Sequence, residues 1–286
     1  MTDVHTITAQ NNRAKGQDLN PLHLGRTLWQ HRALIHQFTK RQVAERYKGS
    51  YLGLIWSFVT PLVMLLVYTF VFSVIFQARW SHTITGSYAE FALTLFTGLI
   101  AFNLFSETVI IAPTLIINNP NFVKRVVFPL EILPVSSLGS ALVNSGISLI
   151  ILLAGTIIVL NQLAWTIIFL PFVYLPLVLL VLGLSWFLAS LGVFIRDIGH
   201  LLNVLMQMLF FLTPIFYPIS AVPESIQFIL YLNPLTFIVT HFRRVILWQQ
   251  LPDWGQLFII TGASLLICLL GYSWFMRSKK TFADIV

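Results

Sequence analysis

The sequence predicts an all-α polytopic membrane protein with six transmembrane helices, and three observations predict it. Apolar residues make up 57% of the 286 residues and charged residues only 9%, where a soluble domain carries about a quarter charged. The apolar residues gather in runs of roughly twenty or more, the length that crosses a hydrocarbon core. The basic residues fall almost wholly in the segments between and beyond those runs, the pattern that orients a chain in a bilayer.

The elements follow in order. Residues 1–22 are polar and uneven and read as a flexible N-terminal tail. Residues 23–50 read as an amphipathic cytoplasmic interface helix. There Leu24, Leu28, Leu34, Ile35, Phe38 and Val43 mix with Arg32, Lys40, Arg41, Glu45, Arg46 and Lys48, and a basic helix with one apolar face lies in the membrane interface. The other reading is a solvated helix that merely precedes the first span. Residues 51–286 form the transmembrane domain. Its spans are expected at 51–76, kinked at Pro61; 89–112; 130–160, broken near its start by Pro134; 165–194; 201–217, closed by Pro214 and Pro218; and 254–276. Residues 219–250 are too apolar for a watery loop, yet Pro223 and Pro234 cut them into pieces too short to span. They read as a re-entrant helix pair before the last span. Neither a soluble domain nor an internal repeat is visible.

Charge sets the expected topology. With the N-terminus in the cytoplasm, all of the 17 Lys and Arg except Arg79, Arg243 and Arg244 fall inside, which places both termini in the cytoplasm. A seventh span through 225–247 would put the basic tail outside. The net charge of +7 therefore reads as membrane orientation, with no nucleic acid as partner. No apolar stretch precedes Tyr51, so no cleavable signal peptide is expected.

Several chemistries lack their residues. The chain has no GxxxxGK[ST] loop for ATP phosphates, no HExxH and no Cys/His cluster for zinc. Its one cysteine, Cys268, reads as a lipid-facing or packed small residue. Catalytic residues, metal sites and cofactors are expected to be none in this chain. Energy-driven work then needs a partner or an ion gradient. Of Glu90, Glu107 and Glu131, Glu107 lies deepest. An intramembrane carboxylate suggests an ion relay, or else it bonds to Ser, Thr or Asn within the bundle.

Five collinear segments resemble the membrane subunits of ABC exporters for O-antigen, capsule and teichoic acid. They are Arg46-Tyr47-Lys48-Gly49-Ser50-Tyr51-Leu52-Gly53-Leu54-Ile55-Trp56 with Pro61-Leu62; Asn118 to Pro134 with Lys124, Phe128-Pro129 and Leu133-Pro134; Arg196-Asp197 and Thr213-Pro214-Ile215-Phe216-Tyr217-Pro218; Asn233-Pro234-Leu235 with Arg243 and Leu247; and Phe282-Ala283-Asp284. Thr213 stands where Ser is commoner. The resemblance covers residue 25 to the end. It implies the type II ABC exporter permease fold in the inner (cytoplasmic) membrane and a homodimer. It also implies two copies of a cognate ABC ATPase subunit that binds ATP and Mg, and a polyprenyl-pyrophosphate-linked polysaccharide as cargo. The interface helix and the loop after span two would rest on the ATPase, with Asn119, Phe122, Lys124, Arg125, Arg41 and Arg46 as coupling residues.

The residues themselves suggest roles. Asn119-Pro120 starts a short helix, Phe122 offers an apolar knob, and Lys124 and Arg125 can meet acidic groups; an ordinary basic loop is the alternative. Aromatic faces stack on pyranose rings without demanding one sugar sequence. Tyr68, Phe72, Phe210, Phe211, Phe216 and Tyr217 are the candidate channel or gate residues. Arg243 and Arg244 either meet an anionic lipid pyrophosphate or cap a helix C-terminus. Arg196-Asp197 reads as a local ion pair or cap. Three other readings stand beside polysaccharide export: an ABC permease for a smaller lipid or drug, an ion-coupled carrier, and a polyprenyl-lipid transferase, whose clustered acidic residues are missing.

Overall fold

The computed structural model describes residues 21–48, 53–75, 87–123 and 128–285. Among these residues every regular element is helical. A bilayer rewards this, because a helix satisfies its own backbone where no water can.

The chain enters through α1 (Pro21–Gln30) and α2 (Arg32–Tyr47). The helix expected over 23–50 is thus two helices, begun at Pro21, interrupted at His31 and ending at Tyr47; the name interface helix is kept for the pair. A short 3-10 turn, Gly53–Ile55, leads into α3 (Trp56–Thr69), which continues as a π-helical turn over Phe70–Ile75. The helix runs on through Pro61, whose missing N–H leaves the Ser57 carbonyl without its usual i+4 donor.

Among the described residues four helical stretches are long and apolar enough to cross a membrane: Tyr88–Ile111, Ile132–Leu160, Trp165–Phe194 and Trp254–Ile285. The first is α4, started by the Ser87 hydroxyl, which accepts from the Glu90 amide at 3.2 Å. The second is α7 (Ile132–Leu160). Pro134 lies in its first turn, where no amide is required, so it starts the helix rather than breaking it. The third is a 3-10 turn at Trp165–Phe169 followed by α8 (Leu170–Phe194). The fourth is α12 (Trp254–Ser278), a 3-10 turn and α13 (Phe282–Ile285).

Between α4 and α7 lie two four-residue helices, α5 (Thr114–Ile117) and α6 (Pro120–Val123). After α8 comes α9 (Ile198–Leu212), whose 15 residues stop at Thr213, earlier than the expected 217, because Pro214 supplies no amide. Then α10 (Glu224–Leu232) and α11 (Pro234–Ile246) meet at 91° about Asn233.

The tightest crossing joins α8 to α12. A Cβ on Gly183 would lie 2.6 Å from the Cys268 backbone, and one on Gly271 would lie 2.7 Å from the Gly183 carbonyl carbon. Small residues allow this approach, since packing rather than water expulsion holds helices together in lipid. Cys268 is buried in that seam, which settles its two readings in favour of the packed one.

The interface helix is tied down. Thr39 Oγ1 donates to the Ser136 carbonyl (3.3 Å), and Gln42 Nε2 donates to the Ser136 hydroxyl (3.4 Å). Phe38 packs on Phe122 and Phe128, themselves stacked 4.5 Å apart. Lys279 Nζ pairs with Glu131 Oε2 at 2.7 Å, and the Trp186 indole donates to the Glu131 carbonyl at 3.0 Å. Interface helix, α6 and the C-terminal segment thus share one end of the bundle.

Candidate functional site

A groove with two chemistries runs along α3 and α4. At the interface-helix end it opens into a cavity of about 420 Å³, walled by Arg46, Trp56, Ser57 and Thr60, by Asn103, Ser106 and Glu107, and by Asn144, Ser145 and Ser148. Helical spacing explains the convergence. Trp56 and Thr60, Asn103 and Glu107, and Asn144 and Ser148 are each four residues apart, so each pair shares one face of its helix. Glu107 is near the end of α4. It forms an ion pair with Arg46 of the interface helix, and Asn144 Nδ2 donates to it at 3.4 Å. The bonded reading of Glu107 is therefore the one the structure carries.

Next along α3 and α4, a second cavity of about 270 Å³ shares Thr60, Pro61 and Asn103 and is lined by Met64, Tyr68, Phe96, Leu99 and Phe210. Here the wall turns aromatic. Tyr68 lies 5.4 Å from Phe216 and 6.1 Å from Phe210, and Phe210 lies 5.0 Å from both Phe216 and Phe102. Edge-to-face geometry of this kind stabilises each pair by about 0.5–1.5 kcal/mol beyond burial. Tyr68, Phe210, Phe211 and Phe216 are thus brought into one cluster. Phe211 is 62% exposed while Phe216 is buried at 3%, and the Tyr217 hydroxyl donates to the Phe211 carbonyl at 2.8 Å. The Phe72 side chain lies outside the described residues.

The end of α4 opposite Glu107 is closed by Arg243. This side chain is 2% exposed. Its guanidinium donates to the carbonyls of Pro214 (2.8 Å), Ile215 (2.9 Å) and Thr94 (3.2 Å). Breaking α9 at Pro214 frees backbone carbonyls in an apolar setting, where an unmet acceptor is costly. Arg243 meets them and ties α11, α9 and α4 together. It is a buried brace, and its three carbonyl partners lie on other elements, so these contacts are neither an outward-facing cation nor a cap of its own helix. A second link runs beside it. Asn233 Nδ2 donates to Thr213 Oγ1 (2.9 Å), which donates to the Leu209 carbonyl (2.7 Å), while Asn233 Oδ1 accepts from the Leu235 amide (3.0 Å). A hydroxyl at 213 and an amide at 233 thus hold the Pro-rich break to the α10–α11 corner. Arg244 is half-buried, and its Nε has no hydrogen-bond partner among the described residues.

Of the other expected residues, Asn119 turns inward and donates to the Leu115 carbonyl at 2.9 Å. Phe122 packs against the interface helix rather than standing free. Arg41 is exposed and pairs with Glu45 at 2.7 Å. Lys124 and Arg125 lie outside the described residues, as does the tail through residue 20. Arg196 and Asp197 are exposed, and among the described residues they form neither the expected ion pair nor a side-chain cap. Sequence reasoning missed Trp56, Ser57, Asn103, Asn144 and Phe102. The signal was there as polar residues at helical spacing inside apolar runs.

A bundle of this kind, with four stretches long and apolar enough to cross a membrane among the described residues, a groove along α3 and α4 and a helix clamped across one end, is a membrane protein. The chain belongs to the ABC-2 type transporter family, whose model matches residues 33–247, from the interface helix to the end of α11. Among curated proteins it is similar to the O-antigen export system permease protein RfbA of Myxococcus xanthus, 28% identical over 93% of this chain and 100% of the relative. It is also similar to two proteins of the same name from Klebsiella pneumoniae, each 24% identical over 88% of this chain and 95% of the relative.

Proposed function

We propose that this chain is the membrane-spanning channel subunit of an ATP-driven exporter that carries a lipid-linked polysaccharide, O-antigen first among them, across the inner (cytoplasmic) membrane. The observation that carries this reading is the near end-to-end similarity to relatives named for O-antigen export. The groove is consistent with it. A polar, flexible polymer needs repeated weak contacts, and the groove offers hydroxyl and amide groups at one end and ring faces at the other.

The finer architecture belongs to the same proposal. Two copies assemble with α3 and α9 toward each other, so that two half-grooves enclose one path. Six spans per copy result if α3 with its π turn and α9 with the Pro-rich segment each cross, while α10 and α11 re-enter from the outer face. Both termini are then cytoplasmic, which the shared end of the interface helix, α6 and C-terminus supports. Two copies of an ATPase subunit bind ATP and Mg and press on the interface helix and the segment after α4. Lys124 and Arg125 are the coupling cations, and Phe122 transmits the push to Phe38. The pairing of Glu107 with Arg46 and Asn144 removes the lone carboxylate that motivated an ion-coupled carrier.

The test is a clean deletion. Antibody or lectin labels surface polysaccharide on intact and permeabilised cells. Polymer that vanishes from the surface and accumulates inside supports export. Unchanged surface polymer with none retained overturns it.

A further inference from the structure

We propose that the cavity between Trp56, Glu107 and Asn144 is a sugar-binding station, the first point at which cargo is gripped. This rests on the polysaccharide reading above and adds to it a defined site with named residues.

The cavity walls carry one cation, Arg46, and one carboxylate, Glu107, and these are paired with each other. A phosphate entering here would face the Glu107 carboxylate with the only cation among the described wall residues already engaged. The rest of the polar lining is neutral hydroxyl and amide: Thr60, Asn103, Ser106, Asn144 and Ser148, with Ser145 turned to the Tyr174 hydroxyl. Such groups both donate and accept, which matches the vicinal hydroxyls of a pyranose.

The second observation is Ser57. Its residue is 9% exposed, and its hydroxyl is buried without a hydrogen-bond partner among the described residues. Pro61, four residues on, cannot donate to the Ser57 carbonyl. The Ser57 hydroxyl is closed off behind the wall; the groups open to the cavity are Thr60 and Asn103, a hydroxyl and an amide that a ligand rich in hydroxyls can meet.

The third is Trp56. It lines the same cavity and is 44% exposed, presenting a broad apolar surface beside the polar wall. An aromatic face opposite hydrogen-bonding groups suits a ring that is apolar on its faces and polar at its edge. The volume of about 420 Å³ falls in the range of small-molecule sites, roughly 300–1,000 Å³. The neighbouring aromatic cavity, which shares Thr60, Pro61 and Asn103, gives the polymer a continuous next step.

The experiment uses the full transporter in native membranes. Cysteine replaces Asn103 (N103C) in a chain whose buried Cys268 is changed to alanine, and the rate of alkylation by N-ethylmaleimide is measured. Membranes come from polymer-making cells and from cells lacking the enzyme that starts the polymer, each with the partner ATPase arrested in hydrolysis. The expected result is that polymer slows alkylation at least threefold, while a cysteine at Lys280, outside the cavity at the same end, reacts equally in both. If N103C does not accumulate, Thr60→Cys is read in the same way. In parallel, W56A is expected to lower surface polymer about fivefold to tenfold and W56F to retain most of it, at equal permease and ATPase levels in the membrane. Equal alkylation with and without polymer, for a variant that exports normally when the ATPase is active, overturns the sugar station and leaves the export reading standing. Surface polymer that survives deletion of the gene overturns both.

Discussion

Replacing Arg243 with lysine keeps the charge and removes the fork, which separates the brace from simple electrostatics. The guanidinium reaches three carbonyls on two elements: Pro214 and Ile215 beyond α9, and Thr94 on α4. A hydrogen bond from a charged donor is worth about 1.5–3 kcal/mol. An ammonium is a single point on a flexible stem and is more strongly hydrated than a guanidinium. It cannot span both elements, so it forfeits at least one bond and is harder to bury. R243K is therefore expected to cost roughly 2–4 kcal/mol. R243M, which strands all three acceptors, is expected to cost about 3–5 kcal/mol. Gly98 offers a graded companion, since a Cβ there would sit 3.0 Å from Arg243 Nη2; G98A should disturb the same contact more mildly. The assay is unfolding of the purified protein in mixed detergent–SDS micelles. Limited proteolysis should report which part opens first, and the region around Pro214 and Asn233 should lead. If R243K unfolds within about 0.5 kcal/mol of the natural chain, the surface-substitution range, the bracing argument is wrong.

Three further outcomes are expected. At the α8–α12 crossing, G271A forces the helices apart and should destabilise by about 1–3 kcal/mol; G262A on the same helix, where a Cβ meets nothing within 4 Å, should be neutral or slightly stabilising in the same unfolding assay. Charge reversal at either member of the Arg46–Glu107 pair should loosen the interface helix, seen as faster proteolysis within α2, and the double swap R46E/E107R should restore protection. Because both partners are partly exposed, the coupling should be only about 1 kcal/mol, and absence of any recovery refutes the clamp. Under the proposed function, K124E/R125E should release the ATPase in co-purification while the permease still accumulates in the membrane; normal export by that double variant refutes the coupling assignment.

The architecture joins the two ends of the groove mechanically. Arg46–Glu107 and the Phe38–Phe122–Phe128 stack bind the interface helix to α4, α6 and the start of α7. At the other end Arg243 binds α4 to the Pro-rich break and α11. The helix α4, 24 residues long and mostly buried, connects them. Under the proposed function, a push on the interface helix passes through this one element to the segment that carries Phe210 and Phe216.

What the sequence by itself determined is the solvent and the punctuation. Hydropathy is a sum over neighbours along the chain, so the long apolar runs were legible, and the helices at 88–111, 132–160, 165–194 and 254–278 start and stop within a few residues of expectation. Pro223 and Pro234 likewise announced the broken segment, because a missing amide acts locally. Only the tertiary structure decided what the polar residues do, since their roles depend on partners remote in sequence. Glu107 became half of a clamp because Arg46, 61 residues away, folds onto it. Arg243 became a brace because Pro214 broke a helix beside it, although charge counting had set it at a surface. Asn103, Asn144 and Ser57 fell silent in the apolar average of their spans. They form one cavity wall only because three helices turn those faces toward each other.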